Sequence, residues 1–253
     1  MGEALIRGLL AARVFKAAEI RVVDPDAARR DLFETQYGIR TLQRLPEAGL
    51  YLLAVKPQDM GAVLPDLAAG APEDPLVVSI AAGISTSFLQ ERLGEGCRLV
   101  RAMPNAAAVV LQSATGVFFT PRVNARDRET VRRIFRAVGV TVEVDREEQM
   151  DRITALSGSG PGYVFLLLEA LTDAGVSVGL SRDTAGRLAL QTFLGSAVMA
   201  RESGKPFSEL KGVIMSPGGT TAAGLKVLEE YAVRGAFLEA VEAATRRAGE
   251  LCR

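Results

Sequence analysis

Residues 1–146 predict an α/β domain with a doubly wound parallel sheet, and residues 147–253 predict an all-helical domain. Three observations carry this. Short continuous apolar runs at residues 20–23, 50–55, 76–80, 97–101, 116–120 and 140–144 alternate with helical patterns. Capping and glycine signals punctuate those patterns, and no strand-like run follows Asp145.

The runs are rich in valine, leucine and isoleucine and have the length of strands covered on both faces, as in a parallel sheet. The chain opens on an amphipathic helix with Leu5, Ile6, Leu9 and Leu10 on one face. After the first run, Asp24-Pro25 offers an N-cap followed by proline at the first helical position, and Gly38 ends that helix. Asn124 and Gly139 bracket another, whose apolar face holds Val131, Ile134, Phe135 and Val138. Strand and helix in alternation wind the sheet on both sides. In the helical part, residues 163–171 and 188–200 are apolar around most of their circumference, more than a small domain buries alone. They predict a homodimer through this part, with a higher oligomer left open.

Composition narrows the function classes. Lysine plus arginine equals aspartate plus glutamate, 30 each, so no overall field favours nucleic acid or an anionic membrane, and a small molecule is the expected partner. Cys97 and Cys252 are too far apart in sequence for a disulfide framework or a zinc site, which fits a reducing cytoplasm. No run reaches the roughly 18 apolar residues of a membrane span, and Arg7 and Arg13 break the opening helix as a signal-peptide core. The chain has no histidine. That excludes Ser-His-Asp and Cys-His hydrolases and histidine metal sites, and no metal is expected.

A nucleotide-binding reading starts from Gly2 and Asp24. A dinucleotide fold needs a strand, then G-x-G-x-x-G at a helix start, then an acidic residue about 20 positions on for the ribose. Gly2 fits the third glycine and Asp24 the acidic residue, while the first strand and two earlier glycines are missing from this chain. That strand belongs in the middle of the sheet, so the expectation is that Met1 is an internal residue of the glycine-rich loop.

Five further segments follow in order. Leu53-Ala54-Val55-Lys56-Pro57-Gln58, Ser79-Ile80-Ala81-Ala82-Gly83-Ile84 and Arg101-Ala102-Met103-Pro104-Asn105 each close a run. Leu156-Ser157-Gly158-Ser159-Gly160-Pro161 introduces the helical part, and Ser216-Pro217-Gly218-Gly219-Thr220-Thr221 lies within it. In this order they resemble the pyrroline-5-carboxylate reductases, over nearly the whole chain. The resemblance implies a Rossmann-type domain followed by a helical dimerisation domain, and reduction of 1-pyrroline-5-carboxylate to proline by NADH or NADPH. It implies cofactor contacts from Gly2, Ala54, Val55, Lys56, Pro57, Ala81, Ala82, Gly83 and Asn105, to which the dinucleotide spacing adds Asp24, where many relatives carry a small neutral residue. It implies substrate contacts from Glu147, Ser216, Gly219, Thr220 and Thr221, with the Thr221 hydroxyl as the catalytic group.

The chemistry agrees with the residues present. A cyclic imine arrives protonated and already electrophilic, so positioning can replace a strong catalytic acid in a histidine-free chain. The glycine-rich turn before Thr220 suits a carboxylate, through free N–H groups and a helix dipole, although the same residues also suit an ordinary threonine-capped helix. Asp24, where a ribose 2′-hydroxyl would lie, favours NADH, with Arg29 and Arg30 near enough to soften that preference. Two rivals stand beside this reading. A β-hydroxy-acid reductase would need a lysine near Ser157, and Lys205, Lys211 and Lys226 lie elsewhere. A non-catalytic helical dimer would have lost nucleotide binding altogether.

Overall fold

A computed structural model describes residues 1–251, so Cys252 lies outside the described residues. The chain divides into two compact units, Met1–Ser159 joined by the chain from Ala243 onward, and Gly160–Glu242.

The first unit runs α1 (Gly2–Ala11), β1 (Arg21–Val23), α2 (Ala27–Tyr37), β2 (Arg40–Leu42), β3 (Leu50–Leu53) and α3 (Met60–Gly70). It continues with β4 (Leu76–Ser79), α4 (Thr86–Leu93), β5 (Arg98–Met103), β6 (Ser113–Phe119), α5 (Ala125–Arg136), β7 (Gly139–Val144) and α6 (Gln149–Ile153). Each apolar run is a strand, as its pattern predicts. β2 is additional: Arg40-Thr41-Leu42 is three residues long, too short for periodicity to mark, and it pairs in parallel with β1.

The strands form two sheets, β1-β2 and β3-β4-β5-β6-β7, where the sequence predicts one. Among the described residues no strand pairs with both β1 and β3. α1 joins the two groups instead. Its Leu5 and Leu9 pack in the core with Val78, Val100 and Phe135, and its Ile6 packs with Phe33 and Ile39 beside β1 and α2.

Two further expectations need correction. β6 runs antiparallel to β5, because residues 104–112 are fewer than the dozen or so that a parallel crossover needs. β7 is not covered on both faces: Val140 and Val142 remain 61% and 57% exposed.

The helix signals are partly as read. Asn124 caps α5, and Val131, Ile134, Phe135 and Val138 are buried. Gly38 closes α2 at φ 63°, but its N-cap is Asp26, whose carboxylate accepts from Ala28 N at 2.9 Å. Asp24 stands two residues before that cap, and its carboxylate instead accepts from the Asp26 N–H (2.9 Å) and from Arg29 Nε (3.1 Å).

A π-helical turn, Thr154–Gly158, closes the first unit's continuous part. Beyond it the structure is helical throughout: α7 (Gly160–Ser177), α8 (Arg182–Ser203), α9 (Phe207–Ile214), α10 (Thr220–Glu230) and α11 (Val233–Leu251). α7 and α8 pack at small residues, since a Cβ on Gly175 would come within 2.8 Å of the Ala185 Cβ. Among the described residues of the second unit only Ala185 and Ala189 are buried. No described helix is long and apolar enough to cross a membrane.

Candidate functional site

Strand ends and the loops after them hold the candidate residues of the first unit. β3 ends at Leu53, and Pro57 then starts a 3-10 turn, Pro57–Asp59, behind an extended Lys56. This leaves Ala54 and Lys56 exposed. Gly2 lies against this segment: a Cβ there would stand 3.3 Å from the Ala54 Cβ, so a larger residue would push α1 away. The first turn of α1 leaves N–H groups without intrahelical acceptors, the earliest bond being Leu5 N to Met1 O at 3.1 Å. A cavity of about 150 Å³ lies here, lined by Met1, Glu3, Ala4, Arg7, Tyr37 and Val109.

After β4, Ala81 N donates to Ser79 Oγ at 3.3 Å. Gly83 has φ 69°, and a Cβ on it would come 2.5 Å from the Leu251 carbonyl oxygen, so both conformation and space require glycine. Asn105 follows β5 with its side chain used locally: Oδ1 accepts from Ala107 N at 3.2 Å and Nδ2 donates to Ser157 O at 3.2 Å. At the end of β1, the Asp24 carboxylate pairs with Arg29, and Arg30 donates to the carbonyls of Asp24 (2.7 Å) and Pro25 (2.9 Å).

This set fits a dinucleotide. An unpaired helix N-terminus suits a pyrophosphate, the close approach at Gly2 and Ala54 leaves no side chain in its way, and residues 81–83 are small enough to lie against a flat ring.

Glu147 sits between β7 and α6 and faces inward. Its carboxylate accepts from Thr86 N (2.7 Å), from the Thr86 hydroxyl, and from Arg101 Nη1 (3.3 Å). Arg101, 4% exposed, also donates to Asp151 Oδ1 at 3.1 Å. A buried guanidinium needs such partners, because an unpaired buried charge is strongly destabilising. Thr86, Arg101 and Asp151 were not singled out from the sequence. The available signal was Arg101 itself, a charge inside an apolar strand run.

The turn at residues 216–221 belongs to the second unit. Gly218 takes φ 68°, and Gly219, not a threonine, is the N-cap of α10. A Cβ on Gly219 would meet Ser216 Oγ at 2.3 Å, so glycine lets the turn close on Ser216. Gly219 N donates to Ser216 O (3.0 Å) and Ala223 N to Gly219 O (3.2 Å). The first-turn N–H groups of Thr220, Thr221 and Ala222 are thus beyond the reach of intrahelical acceptors. An eleven-residue helix whose cap has no side chain presents those N–H groups and its dipole to an anion.

Comparison with known proteins gives the same outline. The family described as "Pyrroline-5-carboxylate reductase dimerisation" matches residues 147–251, and "NADP oxidoreductase coenzyme F420-dependent" matches residues 1–83. A pyrroline-5-carboxylate reductase of Synechocystis sp. is 43% identical over 99% of this chain and 94% of its own length. One of Pseudomonas aeruginosa is 41% identical over 99% and 93%. Among solved structures, a pyrroline-5-carboxylate reductase from Coxiella burnetii has a TM-score of 0.95 at 37% identity, covering 100% of this chain and 95% of that one. The Plasmodium falciparum pyrroline carboxylate reductase with NADP bound has a TM-score of 0.85 at 33% identity, covering 100% and 95%.

Proposed function

Because this chain belongs to the pyrroline-5-carboxylate reductase family, we propose that it reduces 1-pyrroline-5-carboxylate to L-proline with NADH or NADPH. The observation that carries the reading is the glycine-capped turn at residues 216–221. It is a ready carboxylate site, in a chain similar to these reductases over nearly its whole length. In the reaction the reduced nicotinamide supplies a hydride to the imine carbon, and the nitrogen, protonated on arrival, becomes the ring amine.

Everything else is done by this chain's residues. Ser216, Gly219, Thr220 and Thr221 bind the substrate: N–H groups of the α10 first turn hold the carboxylate, and the Thr221 hydroxyl hydrogen-bonds the ring nitrogen. Gly2, Ala54, Val55, Lys56 and Pro57 hold the phosphate-bearing part of the cofactor, and Ala81, Ala82, Gly83 and Asn105 the nicotinamide part. The Asn105 side chain is engaged with Ala107 and Ser157 and its N–H with Ser113 Oγ, so these bonds fix the Asn105 turn beside the nicotinamide part. NADH is the preferred cofactor, because the Asp24 carboxylate accepts from a ribose 2′-hydroxyl and repels a 2′-phosphate.

The active form is a homodimer through the helical domain, residues 147–253, with residues 1–146 as the nucleotide domain. Support comes from the dimerisation family matched there and from the exposed apolar faces of α7 and α8. A cytoplasmic location fits the buried, unbridged thiol of Cys97. The test is oxidation of NADH and NADPH followed at 1-pyrroline-5-carboxylate concentrations spanning KM. Saturable, proline-forming turnover is expected, and its absence in protein that binds the cofactor refutes the reading.

A further inference from the structure

We infer that Glu147 is a positioning residue for the loop at residues 81–86, which it holds through Thr86 while Arg101 holds Glu147. The inference rests on the proposed contact of Ala81, Ala82 and Gly83 with the nicotinamide. In the sheet order β4-β5-β6-β7, Glu147 follows the last strand and the loop follows the first. Their meeting is therefore a tertiary tie, 61 residues apart along the chain.

α4 has its own cap without it, since Ser85 Oγ accepts from Phe88 N at 3.1 Å. What Glu147 adds is a fixed end for the preceding loop. Both donors of Thr86, a residue 7% exposed, point at its carboxylate. The other end of the loop is fixed by Ser79 Oγ, which accepts from Ala81 N. Ser79 pairs in register with Arg101, and Arg101 returns to Glu147, so the circuit closes. Between these ends lie the small residues 81–83. A loop ordered during folding is not left to be ordered on binding, which raises ligand affinity. Direct substrate contact by Glu147, implied by the resemblance, competes with this arrangement, because three donors already occupy most of the roughly four lone-pair sites of its carboxylate.

Asp151 supplies the control, since it pairs with the same arginine without touching Thr86. In Glu147→Gln, the dissociation constant for NADPH or NADH, read by nucleotide fluorescence without substrate, should rise about tenfold. Amide hydrogen exchange at residues 81–86 should quicken in the cofactor-free protein, and KM for 1-pyrroline-5-carboxylate should stay unchanged. Asp151→Asn should stay within about twofold of wild type in cofactor affinity. Thr86→Ser should behave as wild type and Thr86→Val as Glu147→Gln. The inference is overturned by unchanged cofactor affinity and exchange in Glu147→Gln, by an equal effect of Asp151→Asn, or by a rise confined to the substrate KM. A wild-type protein that binds neither nucleotide overturns the proposed function together with it, whereas cofactor binding without proline formation overturns only the function.

Discussion

Thr221 is half-buried in the first turn of α10, beside N–H groups that the helix leaves without acceptors. If its hydroxyl bonds the ring nitrogen in the transition state, Thr221→Ala lowers kcat by about tenfold or more with little change in cofactor KM. An unchanged kcat in steady-state assays removes the hydroxyl from the mechanism. Asp24 is a second residue-level case. Its carboxylate is held by Arg29 and by the Asp26 N–H, so it is already oriented, and Arg29 is the cation a 2′-phosphate would recruit in its absence. Asp24→Ser is therefore expected to raise the kcat/KM ratio of NADPH over NADH by about tenfold. A ratio that stays put shows that discrimination lies elsewhere. Both residues were legible in the sequence from spacing and motif. Thr86 was not, because its importance comes from a carboxylate 61 positions away.

At the scale of elements, strand and helix identities followed from local patterns, while pairing did not. β6 carries the same kind of apolar run as its neighbours, yet its direction was set by the short connection before it. β7 is tied to α5 by Glu143, which accepts from Arg132 Nη2 at 3.0 Å. That hydrogen bond, against some desolvation, holds the Glu143 carboxyl below its ordinary value of 4.5. A lowered folded-state value means that the tie is fully present above the unfolded value and is lost as pH falls through the lowered one. Glu143→Gln should thus cost about 0.5 kcal/mol at neutral pH, a surface-pair magnitude. The difference in melting temperature from wild type should vanish once the pH is below the folded-state value. A difference that persists in acid would assign the effect to packing.

For the whole molecule, the second unit poses the largest imbalance: two buried residues among its described positions, with Leu190 59% and Leu194 55% exposed on α8. So little buried surface cannot offset the conformational entropy lost on folding. In the proposed homodimer, a second copy covering α7 and α8 would supply the missing burial. If the proposed dimer forms through α8, Leu190→Glu combined with Leu194→Glu should yield a monomer of low stability by sedimentation or light scattering, and the wild type a dimer. A dimer that survives both charges places the interface on other helices.

The sequence by itself determined the order of strands and helices apart from β2, the switch to an all-helical second part, the absence of histidine chemistry and the glycine-rich turn before Thr220. All of these are encoded in residues close together in the chain. Only the tertiary structure decided that the strands form two sheets bridged by α1, that β6 reverses, that Asp26 caps α2, and that Arg101 links Glu147 and Asp151 to the start of α4. Each depends on which groups meet across the fold, where a buried charge or donor takes whatever partner is in reach, and spacing along the chain carries no record of that competition.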